Sequence, residues 1–193
     1  MNENDDSPSS KGLLYQARLP LFWKCGADEV SDQQLVAAED LNERMLQTLI
    51  TLQEGHIEST EEAQERMPEL IRIEAKLDML LEWVSQLSPR ADQGLESFPV
   101  RLGATGVSWE GALSHLPEKS EYLWLYLQLD ERLPRPLQLF GRVVAVDVID
   151  TGHSITLVFQ DLGQRVTDLL EKVIFRQHRR GVALKRSHSV PEV

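Results

Sequence analysis

Apolar positions change their spacing along this chain, and the change divides it into a helical front and a β-rich back. From Ser31, Leu35, Ala38, Asn42, Met45, Leu49 and Leu52 recur at alternating steps of three and four. That is the a/d stripe of a helix, with a polar residue, Asn42, at an a position. Ser31 and Gln34 form an S-x-x-Q capping box at its start, and Gly55 marks its end. A second capping box lies at Ser59 and Glu62. Pro68 either kinks an established helix there or, with less strain, opens a new one. Beyond it Leu70, Ile73, Leu77, Leu80, Val84 and Leu87 continue as an unbroken a/d seam, flanked by Leu81 and Trp83 and ended by Ser88-Pro89.

From Phe98 the texture is that of strands. Val107, Trp109 and Leu113 precede a loop, and Tyr122–Leu129 alternates with a continuous aliphatic face. A longer β run, Leu137–Ile149, holds Gly141, which predicts a bulge or bend. Asp150 to His153 is the turn of a hairpin into Ser154–Phe159. A last helical stripe, Val166, Leu169, Leu170, Val173 and Ile174, is expected to end near Gly181. The organisation expected is therefore a disordered tail over 1–12, an extended arm over 13–30 and a helical oligomerisation region over 31–96. A β-domain with its closing helix follows over 97–181, and a basic tail over 182–193. The arm, LLYQARLPLFWKC, is too apolar to be left in water and is expected to dock on the β-domain.

Charge sharpens this division. Residues 1–96 carry 20 acids and 8 bases, a balance of −12, and residues 97–193 carry 11 acids and 12 bases, a balance of +1. A chain of net charge −11 repels a polyanion, so DNA or RNA coating is disfavoured. No run approaches the roughly 18 consecutive apolar residues of a membrane span. The acidic, polar start is unlike a secretory signal. With one cysteine, Cys25, assigned to packing, no internal disulfide or cysteine-built zinc site can form, and a cytoplasmic location is expected.

Catalytic chemistry finds little purchase. The five histidines are scattered, with no HExxH and no i, i+4 pair. No serine sits in G-x-S-x-G, no Walker-type loop is present, and Glu39-Asp40 and Glu61-Glu62 read as solvated helical faces. Neither an enzyme nor a metal or cofactor site is expected. The heptad seams say more. A two-helix hairpin buries one seam poorly by itself, and an a-position Asn fixes register between helices. Self-association through Asn42, Leu70, Ile73, Leu77, Leu80, Val84 and Leu87 is the expectation. Arg176, Arg179 and Arg180 cluster where the last helix is expected to end, and there they complement its dipole. Their other reading is a phosphate clamp of guanidinium forks, with Arg101 as a further ligand-facing candidate.

The order of features from Phe98 to His178 resembles the PilZ family of bacterial cyclic di-GMP receptor domains. The segments that carry the likeness are VRLGATGVSWEG, LWLYLQL, LFGRVVAVDVIDTGHSITLVFQDL and DLLEKVIFRQHRR. Joined to the arm and the seam-bearing helices, they make the chain similar to the atypical, tetramer-forming branch. The resemblance implies an α+β chain in which heptad-bearing helices precede a six-stranded antiparallel β-barrel with a C-terminal helix. It also implies a non-enzymatic homo-oligomer, a tetramer by that likeness, acting with another protein in cyclic di-GMP-linked regulation. The family's nucleotide-binding motifs are R-x-x-x-R ahead of the barrel and [D/N]-x-S-x-x-G on it. Aligning the second on Gly106 puts Arg101 at its acidic position and Gly103 at its serine. No R-x-x-x-R precedes the barrel; Arg176 and Arg180 have that spacing in the last helix instead. Cyclic di-GMP remains the candidate ligand, with Arg176, Arg179, Arg180, Arg101 and Gly106 as the residues to hold it.

Overall fold

The computed structural model describes residues 13–26, 30–55, 94–113 and 115–187, with helical residues at 72–73, 75–77 and 79–80. Strand β1 (Tyr15–Cys25) is followed by helix α1 (Asp32–Gly55). Then come β2 (Glu96–Leu102), β3 (Gly106–Gly111), β4 (Tyr122–Leu127), β5 (Leu137–Ile149), β6 (Gly152–Phe159) and helix α2 (Gln164–Ser187). The strands close into an antiparallel barrel in the order β1-β2-β3-β6-β5-β4.

Alternation builds the barrel wall. Leu123, Leu125 and Leu127 of β4 are fully buried between Tyr122, Trp124 and Tyr126, which face outward. Trp109, Leu102, Leu139, Ile155 and Leu157 fill the same interior. The arm is itself the closing strand. Its first half pairs with β2, from Tyr15 against Leu102 to Leu21 against Glu96, and its second half pairs with β4, from Leu21 against Leu127 to Cys25 against Leu123. It belongs to the barrel instead of lying on it. Pro20, which has no N–H to donate, stands where β1 passes from one neighbour to the other, and its carbonyl accepts the Gln128 N–H at 2.9 Å.

The expected capping box closes α1: the Gln34 N–H donates to Ser31 Oγ and the Ser31 N–H to Gln34 Oε1, each at 3.3 Å. Its stripe turns inward. Leu46, Leu49 and Ile50 share one buried core with Val166, Leu170, Val173 and Ile174 of α2, so the two helices pack together and join the core of the barrel. Asn42 is 1% exposed and engages β5 within the same chain. Its Nδ2 donates to the Gln138 carbonyl at 2.7 Å, and its Oδ1 accepts the Gln138 N–H at 2.8 Å. β6 begins pairing with β5 at Gly141, so Gln138 has no strand on that side, and one side-chain amide supplies both missing ladder bonds.

Two local expectations change. Gly141 is not the bulge; the register shifts between Val143 and Ala145. Gly141 is a close approach instead, because a Cβ there would lie 2.6 Å from the Val158 carbonyl oxygen and 2.9 Å from the Leu157 side chain. The last helix runs through Gly181 to Ser187, so Arg176, Arg179 and Arg180 do not stand in its final turn and the dipole does not explain them. Of the second seam, Ile73, Leu77 and Leu80 are helical and exposed; Leu70, Val84 and Leu87 lie outside the described residues.

Candidate functional site

The turn between β2 and β3 carries Gly103 and Gly106, two of the positions that correspond to the second nucleotide-binding motif. The Gly103 N–H donates to the Gly106 carbonyl and the Phe159 N–H to the Thr105 carbonyl, each at 2.9 Å, which ties the turn to β6. Gly106 is buried at the start of β3. Arg101 sits on β2 opposite Ser108, and its guanidinium donates to Glu110 Oε1 at 2.7 Å. The site thus presents a glycine where the motif has serine, and an arginine already held by a neighbouring carboxylate where the motif has an acid. With Arg101 more than half exposed, this ion pair contributes little to stability, but a ligand would have to displace it.

Arg176, Arg179 and Arg180 of α2 each interact with another group of the chain. Arg176 is half-buried and donates to the Ile50 carbonyl of α1 at 3.3 Å, across the helix pair. Arg179 lies over the Phe175 ring, 5.9 Å from its centroid. Arg180 stands close enough to Asp130, in the β4–β5 loop, to favour that residue's charge. For Asp130, burial acts to raise the pKa. The opposing effect wins: Arg132, which donates side-chain bonds at 2.9 and 3.0 Å and a backbone bond at 2.9 Å, holds the carboxyl below its ordinary range with Arg180's help. The nearby Tyr15 hydroxyl is pushed up, first by burial and then by the Asp130 charge. Arg101 therefore engages the barrel wall, while Arg176, Arg179 and Arg180 engage α1, their own helix and the β4–β5 loop.

Two further features lie outside the candidate ligand residues. The first is an aromatic ladder on the outer wall of β1, β4 and β5. Phe22 stacks on Tyr126 with centroids 4.3 Å apart, Tyr122 stacks on Phe140 at 5.6 Å, and Trp124 meets Phe140 at 5.2 Å. Lys24 lies over both Phe22 and Tyr126. Its signal was visible in YLWLYL, whose non-aliphatic positions are all aromatic, and such cross-strand pairs stabilise sheets. The second is Cys25, exposed instead of packed. A hydrogen bond to the Glu121 carboxylate raises its thiol pKa, with burial and the Glu121 charge acting the same way, and that bond lowers the pKa of Glu121. Among the described residues, no group of three or more His, Cys, Asp or Glu could hold a metal ion, and no helix is long and apolar enough to cross a membrane.

The sequence profile of the family described as atypical PilZ domain, cyclic di-GMP receptor, matches residues 46–187. Among solved structures, the chain is similar to a pathogenic protein from Xanthomonas campestris. That protein is described as a new tetrameric PilZ domain self-assembled via an unusual helical bundle. The two are 30% identical, the match covers 90% of this chain and 92% of the other, and the TM-score is 0.69. The PilZ domain with c-di-GMP of YcgR from Escherichia coli is 13% identical over 52% of this chain and 83% of its own, at a TM-score of 0.37, a likeness too slight to argue from. Among curated proteins no relative matches.

Proposed function

This chain belongs to the atypical PilZ domain family, and from that premise we propose that it is a non-enzymatic, homo-oligomeric adaptor in cyclic di-GMP-linked regulation. Its helices join the subunits, and its barrel presents a surface to another protein in the cytoplasm. The observation that carries the oligomer is the bare seam: Ile73, Leu77 and Leu80 are 53%, 54% and 52% exposed in one chain, at the spacing of a helix–helix interface. Leucine and isoleucine stripes of this kind are ordinarily covered. The Xanthomonas campestris neighbour, a tetramer built through a helical bundle, supports covering them with copies of the same chain.

The adaptor reading rests on the engaged arginines. Tight binding of a molecule with two phosphates and two guanines needs free guanidinium forks and edge-on polar contacts. Here Arg101 is held by Glu110, and Arg176 bonds the Ile50 carbonyl. Calorimetric titration with cyclic di-GMP, with the oligomer mass measured in the same buffer, tests both parts. The expected result is an oligomer of constant mass and no heat of binding. A clean monomer would overturn the assembly, and micromolar or tighter binding would overturn the adaptor.

A second reading is favoured by the family's description as a cyclic di-GMP receptor: binding through a rearranged arginine site. It would use Arg176, Arg179, Arg180 or Arg101, and it predicts that alanine at the first three abolishes binding while the fold persists; undiminished affinity removes them.

A further inference from the structure

The β5–β6 hairpin reaches past its neighbour. β4 pairs with β5 from Leu137 to Arg142, and the loop before β4 extends the contact by one residue, through the Val143 N–H to the Glu121 carbonyl and the Ser120 N–H to the Val143 carbonyl. Beyond that, β5 pairs with β6 alone among the described residues, out to Ile149 against Gly152. Among the described residues, Val144 to Ile149 therefore forms an edge of the sheet, paired on one side only.

The direction of its backbone groups follows from the turn. Ile149 and Gly152 flank a two-residue turn and form its hydrogen-bonded pair, so the alternation of an antiparallel ladder turns the N–H and C=O of Val148 and Val146 away from β6. Val148 is 84% exposed, and Val146 is partly buried against the core. A row of outward amides beside apolar side chains is a template for another extended backbone.

The edge is guarded against its own kind. The bulge at Val144 twists it. The two-fold register that sets Val146 of one copy against Val148 of another brings the two Asp147 carboxylates face to face, and like charges directly opposite destabilise a pair. Asp150, exposed in the turn, adds to the negative tip. These features disfavour a second copy and favour a cation.

We infer that the Val144–Ile149 edge of β5 docks an extended segment of a different protein by strand addition, with a Lys or Arg of that segment opposite Asp147. This inference rests on the adaptor reading and gives the adaptor's partner its chemistry. The probe is a synthetic peptide alternating valine and threonine, with one central arginine and lysine ends, added to the full chain and followed by fluorescence anisotropy and amide hydrogen exchange. Binding should slow exchange at Val146 and Val148. Val148→Pro deletes an outward N–H without touching the ladder to β6, so affinity should fall at least tenfold with the thermal midpoint unchanged. Asp147→Lys should weaken this peptide and favour its glutamate counterpart. No slowing at Val146 and Val148, equal affinity for Val148→Pro, or indifference of Asp147→Lys to peptide charge each overturns the inference. Failure of the adaptor reading would instead register as nucleotide heat in the titration above.

Discussion

Replacing Asn42 with leucine separates an intrachain role from an interchain one. The two side chains are close in shape, so the substitution leaves little cavity and removes the polar contacts almost by themselves. Two bonds disappear, at 2.7 and 2.8 Å, and both the N–H and the carbonyl of Gln138 lose their partner. A buried group left unpaired costs about 1–3 kcal/mol. Gln138 is half-buried and water can satisfy part of the loss, so about 2–4 kcal/mol is expected for the pair of groups. With a urea dependence of about 2 kcal/mol per molar, the unfolding midpoint should fall by roughly 1–2 M. Tryptophan fluorescence during urea titration, at one fixed protomer concentration, measures it. Asn42→Asp adds a sign. The carboxylate still accepts the Gln138 N–H but opposes the Gln138 carbonyl, whereas the protonated acid can donate to it. The folded state then prefers the proton, so relative to the unsubstituted chain this variant should lose least below the unfolded carboxyl's pKa and more as pH rises through its folded pKa. A loss under 0.5 kcal/mol in Asn42→Leu, or a change of oligomer mass with the barrel's stability intact, would refute this account and return Asn42 to the interface between chains.

Leu77→Glu should leave the barrel folded and reduce the oligomer's mass in light scattering, since Leu77 is exposed within one chain; an unchanged mass removes the seam from the assembly. Gly141→Ala should destabilise by about 1–3 kcal/mol through overpacking, because the Val158 carbonyl is backbone and cannot swing aside. Calorimetry should show a drop of about 2–4 °C per kcal/mol, and an unmoved midpoint contradicts the close approach. Cys25, although exposed, should alkylate slowly at neutral pH because its raised pKa leaves little thiolate. Glu121→Gln should speed the reaction, and equal rates in the two proteins would dismiss the contact.

Much of the barrel was legible because alternation declares which face is buried. Leu137–Ile149 coincides with β5, and the aliphatic face of Tyr122–Leu129 became the inner wall of β4. What misled was chemistry with two uses. An asparagine on an a/d stripe reads as a register device between helices, and nothing in the stripe shows that a strand edge lies beside it. Gly181 reads as a stop, yet a glycine costs a helix only about 1 kcal/mol relative to alanine, and α2 continues through it. Gly141 announces that something is near without saying whether the backbone bends or another strand approaches. The candidate ligand residues were legible as a cluster of arginines, but their partners, Ile50, Phe175, Asp130 and Glu110, come from other elements or other turns. Only Phe175 and Arg179, four apart on one helix, are joined by their spacing.

Strand β1 meets β2 across a long insertion, Tyr15 against Leu102, and α1 lies within that insertion. The recognised family segment begins at residue 46, beyond β1. A fragment trimmed to that boundary would therefore lack its sixth stave, leaving β2 and β4 as two raw margins where the intact protein has one seamless wall. Excising the β-rich half as a tidy module would yield an unclosed, adhesive sheet. The stretch that looks like a leader before the domain is the hoop that shuts it.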